Sequence, residues 1–250
     1  MKTRIKSCKR ALVLLLTFTL LLVPLAVVSL QLDFFKPVSE SVGKTMMYLT
    51  QSAGKEGFLF SLLFLSIWVG WRCQIPRQQW LNKAIQLVLL LGLAMVMKTG
   101  LKAVTQEPRP YTELMAQSLL LPNGEHFYKL SEPKQEALLV AMESKVSPWR
   151  IVHWQGETDY SFPSGHTVFA VLCLLYFGSL LIEKKRYLSL GALLIWALSV
   201  AYSRLWLGMH HPVDLFGAGL LVGGLYLLVP QQYPLQHPRF QPWLRRMHLV

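Results

Sequence analysis

Polar and apolar positions in this chain alternate over tens of residues, far longer than one helical turn. Six apolar stretches stand out, at about 12–30, 58–71, 81–97, 167–182, 187–202 and 213–229. Most reach or approach the roughly 20 residues that a bilayer core requires. The pattern predicts an all-α, polytopic membrane protein with six transmembrane helices. The second stretch is short and should be extended by its flanks. The third should continue helically to Lys102. The first has the basic start and apolar core of a secretory signal, but its length and the lack of an A-x-A site favour an anchor. On either reading residue 31 emerges on the far side.

Between the third and fourth stretches the pattern changes. Residues 111–160 hold seven of the thirteen acidic residues. Within them SEPKQEALLVAMESK reads as an amphipathic helix, with Ser131 as N-cap and Pro133 in the first turn. We expect 111–160 to form a small helical cap on the extracytoplasmic face, within a single membrane domain of residues 1–250.

Composition agrees with this reading: 53% of the 250 residues are hydrophobic and 15% charged. A net charge of +12 would suggest nucleic acid in a soluble chain, but no basic stripe with interleaved aromatics is present. Instead the lysines and arginines concentrate in short segments. There are five in MKTRIKSCKR, three in 72–83, three in EKKR (183–186) and three after Gln231. Six spans put these four segments on one side, so the positive-inside rule makes them, and both termini, cytoplasmic. Trp68, Trp71, Trp80, Trp196 and Trp206 near span ends read as interfacial belt residues. Trp149 and Trp154 fit a lining of the cap. Cys8, Cys73 and Cys173 lack metal-type spacing and read as ordinary thiols.

Orientation gathers the unusual polar residues. KAVTQEPRP (102–110), PSGH (163–166) and SRLWLGMHHPVD (203–214) all fall on the non-cytoplasmic side. Ionisable groups at one membrane depth point to function. Lys102, Arg109 and Arg204 are cations. Ser164 is both the expected N-cap of the fourth span and a hydroxyl, and the helix start adds free N–H groups. Together they make an anion site suited to phosphate. His210 and Asp214, four apart, share a face if a helix starts there, so the carboxylate would hold the imidazole in one tautomer. His211, three residues before Asp214, is also within its reach. Phosphoryl transfer uses such parts: cations for equatorial charge, an imidazole nucleophile, and an acid for the leaving oxygen, here His166. Glu157, nine residues before His166, is placed to polarise it or to sort substrates; it also has a plain reading as a solvated loop carboxylate. Other chemistries fit less well. Ser164 lacks a G-x-S-x-G elbow. A metal at His210, His211 and Asp214 would face three cations. A transport protein would need a polar path through the membrane centre, and none is visible.

Lys102, Arg109 and Pro110, then Pro163-Ser164-Gly165-His166, then Ser203, Arg204, His210 and Asp214, resemble the three-part signature of the type 2 phosphatidic acid phosphatase superfamily. EPRP, the residues around HWQ and PSGHT, and GMH with its following proline and aspartate resemble bacterial members over most of the chain. The resemblance implies a metal-independent lipid phosphatase without cofactor, in a bacterial inner membrane, with a periplasmic active site. It implies His210 as nucleophile forming a phosphohistidine, Asp214 orienting it and His166 as general acid. Lys102, Arg109, Ser164, Gly165 and Arg204 would hold the phosphate. The motifs read the phosphate and not the tail. Phosphatidylglycerol phosphate, phosphatidate and undecaprenyl pyrophosphate all remain candidates, the resemblance leaning to the first, and a dedicated undecaprenyl pyrophosphate phosphatase or a lipid phosphotransferase is the neighbouring alternative. The partners expected are lipid phosphates, with no nucleic acid and no obligate protein.

Overall fold

The structure, a computed structural model, describes residues 2–230. Among the described residues every regular element is helical. In order these are α1 (Lys2–Ser29), α2 (Glu40–Gln51), α3 (Phe58–Cys73), α4 (Arg77–Thr105), α5 (Pro110–Gln117), a 3-10 helix (Gly124–Lys129), α6 (Glu132–Met142), α7 (Pro148–Gln155), α8 (Gly165–Glu183), α9 (Tyr187–Trp206) and α10 (Pro212–Leu228). The six apolar stretches correspond to α1, α3, α4, α8, α9 and α10. Sequence reading missed α2, α5 and α7, each of 8 to 12 residues. They are too short and too mixed in polarity to rise above a loop.

Four stretches are long and apolar enough to cross a bilayer: Ile5–Ser29, Gln79–Gln117, Gly165–Glu183 and Tyr187–Trp206. α3 and α10 are apolar but have 16 and 17 residues, a rise of roughly 25 Å against a hydrocarbon core of about 30 Å. Helix α8 is the hub, packing against α1, α3, α4, α9 and α10. Burial separates it from α4: 78% of an 18-residue apolar stretch of α8 lies inside the protein, against 17% of the corresponding stretch within Gln79–Gln117. That explains why α8 is apolar on all sides, with Val171, Leu174 and Leu175 fully buried. Helix α1 contributes Phe18 and Leu22 to the same core, and its Ser7 hydroxyl lies 3.3 Å from that of Tyr226.

The bundle sorts its polar residues to opposite ends. At one end Arg10 pairs with Glu183 at 2.7 Å, and Arg186 donates to the Arg72 carbonyl. The basic segment after Gln231 lies outside the described residues. At the other end the three motif segments meet under residues 110–160, which form their own core around Tyr111, Met115, Phe127, Leu139, Met142 and Trp154. The expected helix at 132–142 is present, although the Ser131 side chain makes no capping bond.

This second core also contains Trp206, the last residue of α9, with Leu207 and Met209 from the α9–α10 connection. Trp206 is therefore not a belt residue; it is 6% exposed, and the Arg150 guanidinium lies over its ring at 4.6 Å. The connection has no secondary structure to pair its carbonyls, so its neighbours do it. Arg150 Nε donates to Trp206 O at 3.2 Å, Trp154 Nε1 to Leu207 O at 2.7 Å, Tyr111 N to Gly208 O at 3.1 Å, and Arg109 Nη1 to Met209 O at 3.1 Å. Four consecutive carbonyls are held from outside, and the next residue is His210. Trp149 instead packs against Gly43 of α2, where a Cβ would sit 2.3 Å from the indole.

Trp154→Phe keeps a ring but leaves the buried Leu207 carbonyl unpaired. It should cost about 1–3 kcal/mol, read as a lower thermal midpoint of purified protein in detergent. An unchanged midpoint would mean that the connection is held without this bond.

Candidate active site

Helix α4 ends at Thr105, with Gln106 in the left-handed region at φ 50°, and Pro110 opens α5 in its first turn. This break turns Arg109 inward, where it is 1% exposed. Lys102, one turn from the end of α4, reaches the same place with an 11% exposed side chain. Ser164 is the N-cap of α8, its hydroxyl accepting from Thr167 N; the capping expected from the sequence is present. Its own N–H donates to the Asp214 carbonyl at 3.3 Å, which ties the start of α8 to the start of α10. Phe162–Pro163 is a cis peptide bond. Gly165 lies against the Lys98 side chain, which a Cβ would approach to 3.2 Å.

His210 and Asp214 meet, with Nδ1 to Oδ2 at 3.1 Å. The expected helical register is not the reason. His210 precedes the N-cap, His211, and α10 begins at Pro212. Asp214 sits at the third helical position and turns back over the helix start, where the free N–H groups and the dipole favour a carboxylate. Its Oδ2 accepts from both the His210 ring and His211 N, the latter at 2.9 Å. So His211 reaches Asp214 through its backbone, while its ring faces Glu113 with Nε2 at 4.0 Å. Among the described residues no group of three or more His, Cys, Asp or Glu is arranged to hold a metal ion.

The acceptor role of Asp214 fixes the His210 tautomer. Nδ1 carries the proton, and Nε2 presents its lone pair 3.4 Å from Arg109 Nη1. Burial holds the His210 pKa well below its ordinary value of 6.5, and Arg109, Arg204 and Lys102 push it the same way. The resting imidazole is neutral.

Lys102, Arg109, Arg204, His166 and His210 all converge, and one loop, residues 156–160, answers their charge. Glu157 takes both oxygens to Arg204 Nη2, at 2.9 and 2.8 Å, lies 3.2 Å from Arg109 Nη2, and is 4.0 Å from His166 Nε2. The solvated-loop reading of Glu157 is thus corrected. Burial pushes its carboxyl up, but Arg204, His166, Arg109 and Lys102 outweigh that and hold it well below the usual carboxylate range. Asp159, which the sequence reading passed over, bridges Lys102 at 2.8 Å and Arg109 Nη2. Its carboxyl is held low by the same two cations against the effect of burial. The Tyr160 carbonyl accepts from Lys102 as well. Asp159 had no signal in the sequence beyond its position between two motifs. Thr50, also missed, accepts from Arg204 Nη1 at 2.7 Å; it lies more than 50 residues from any motif.

The three cations and two histidines, one of them oriented by a carboxylate, gather at one end of the helix bundle, and similarity to known proteins makes this chain a membrane phosphatase, a phosphoric monoester hydrolase. The family model described as the PAP2 superfamily matches residues 83–237, and the chain belongs to that superfamily. Phosphatidylglycerophosphatase B of Haemophilus influenzae is 34% identical over 171 residues, 65% of this chain and 68% of its own length. Phosphatidylglycerophosphatase B of Escherichia coli K12 is 33% identical over 183 residues, 71% of each chain.

Glu157→Gln would leave Arg204 buried without a full counter-charge, at a cost of roughly 3 kcal/mol. The sign with pH follows from the lowered carboxyl. Its stabilisation is complete above the ordinary value of 4.5 and is lost as pH falls below that value towards the depressed native one. The gap in thermal midpoint between wild type and Glu157→Gln should stay constant from about pH 7 to about pH 5 and narrow only as pH falls below 4.5. A gap that does not narrow below that value would place the effect elsewhere than in the ion pair.

Proposed function

We propose that this protein hydrolyses the phosphate monoester of membrane lipids through a phosphohistidine on His210. The observation that carries the reading is the alignment of the His210 imidazole. Nδ1 is held by Asp214, and Nε2 faces the cation cluster at Arg109. Lys102, Arg109 and Arg204, with the Ser164 hydroxyl and the Gly165 start of α8, would hold the phosphate oxygens. His210 Nε2 attacks phosphorus. The P–O bond to the lipid alcohol breaks, the electron pair stays on that oxygen, and His166 supplies its proton. Water then attacks the phosphohistidine, the N–P bond breaks with its electrons returning to nitrogen, and the water proton goes to His166. Before substrate enters, Glu157 and Asp159 satisfy the cations. Incoming phosphate competes with them, which gives Glu157 a role in sorting substrates by the charge they bring.

The names of the relatives favour phosphatidylglycerol phosphate as substrate, with phosphatidate as a further monoester and undecaprenyl pyrophosphate as a related lipid whose leaving group would be the lipid monophosphate instead of an alcohol. All six apolar helices would span the membrane, α3 and α10 with local thinning or flanking residues making up their length. Residues 111–160 would cap the periplasmic face of a bacterial inner membrane, with both termini cytoplasmic. The separation of Arg10, Arg72 and Arg186 from the site end of the bundle supports that orientation.

Purified protein in detergent with excess chelator should release phosphate from these lipids, and His210→Ala should lose at least about 10³-fold in rate. Release that persists in His210→Ala, or that chelator abolishes, would overturn the scheme. The pH profile of kcat/KM should be bell-shaped, because one imidazole acts neutral and the other protonated. His210 must be neutral and its pKa is depressed, so activity should survive as pH falls through 6.5 and be lost only below it. An acid limb centred at or above 6.5 would contradict the buried nucleophile.

A further inference from the structure

The end of α2 and the turn that leads to α3 lie ahead of the matched region 83–237 and carry none of the motif residues, yet they touch two of them. Thr50 is 1% exposed, and its hydroxyl accepts from Arg204 Nη1 at 2.7 Å. Gly54 backs onto His166: a Cβ built there would stand 2.9 Å from Nε2. The turn is held firmly in this position. Trp196 Nε1 of α9 donates to Ser52 Oγ at 3.0 Å, and Ser61 Oγ donates to the Ser52 carbonyl at 2.6 Å. Phe58 packs edge-on against Phe169 of α8, and Phe169 packs edge-on against Trp196. The backbone also folds closely on itself, since a Cβ at Gly57 would meet the Gln51 carbonyl at 2.3 Å.

We propose that residues 50–57 form the leaving-group wall of the active site: Thr50 is a positioning residue for Arg204, and Gly54 leaves room for a substrate oxygen at His166 Nε2. The inference rests on the proposed role of His166 as general acid. When the P–O bond breaks, the electron pair stays on the leaving oxygen, and the proton on Nε2 goes to it. That oxygen has to lie within hydrogen-bond reach of Nε2. A side chain at position 54 would fill this space or push the imidazole aside. Thr50 works on the other component. Arg204 spends Nη2 on Glu157, and Thr50 holds Nη1, so the guanidinium plane is set by two partners from two different elements.

The test uses leaving groups of different basicity. Phosphatidate loses a basic alkoxide and needs the acid; 4-nitrophenyl phosphate loses a weakly basic phenolate and needs it much less. The His166→Ala variant calibrates the effect. If it lowers kcat/KM, which reports cleavage of the P–O bond, equally on both substrates, His166 is not the acid and the underlying reading fails, whatever position 54 does. Given a selective loss there, Gly54→Ala and Gly54→Ser should lower kcat/KM on phosphatidate by about tenfold or more, with a clearly smaller loss on 4-nitrophenyl phosphate. Equal losses on both substrates, or no loss, would overturn the wall. If the position 54 variants do not fold, Thr50 carries the test. Thr50→Val should raise the inhibition constant of inorganic phosphate by about fivefold and Thr50→Ser should restore it. A Thr50→Ser variant as impaired as Thr50→Val, or a Thr50→Val variant with unchanged phosphate inhibition, would overturn the proposal.

Discussion

Two guanidinium groups with almost no contact with solvent, Arg109 and Arg204, must be neutralised before anything else at this end of the molecule can form. Leaving either one unpaired would be expensive in a low-dielectric interior. The loop of residues 156–160 meets that need, with Glu157 on both arginines and Asp159 on Arg109 and Lys102. The loop is short and leads directly into Pro163 and α8. The pairing that satisfies the arginines therefore also places Ser164, Gly165 and His166. The charges gathered for an anion are held in the resting protein by anions of the chain itself.

The same economy governs the histidine on the other side. His210 sits in a connection with no helix or strand of its own, and such a segment would drift unless its carbonyls were paired. Trp154, Tyr111 and Arg109 pair three of them in sequence, directly after Arg150 pairs the last carbonyl of α9. Arg109 thus does two jobs, anchoring the connection through Nη1 and joining the cation cluster through Nη2. The core of residues 110–160 continues into Trp206, Leu207 and Met209, which lead directly to His210.

The proposed mechanism depends on these supports more than on individual motif residues. Asp214 fixes the tautomer of His210, and it can do so because the start of α10 offers a carboxylate free N–H groups and a favourable dipole. Burial and neighbouring positive charge keep His210 neutral, the state required of a nucleophile. The environment that disfavours a charged imidazole also favours the incoming phosphate.

The sequence by itself determined the helical class, the six apolar elements, the helix at 132–142 and the motif residues. Each of these is written in local terms: apolar runs as long as a bilayer is thick, a capping serine, fixed spacings within a motif. Tertiary structure alone decided what surrounds those residues. Asp159, Thr50 and Gly54 belong to no motif and reach the site only because α2, the 156–160 loop and α8 fold to one end of the bundle. Trp206 reads as a membrane-belt residue from its place near a span end, yet it is buried in the second core under Arg150. His210 meets Asp214 through a carboxylate folded back over a helix start, whereas spacing alone suggested two positions on one helical face. Spacing along a chain constrains near neighbours. Which distant carboxylate neutralises a buried arginine, and which glycine stands behind a histidine, depends on contacts between segments tens of residues apart. No local pattern records them.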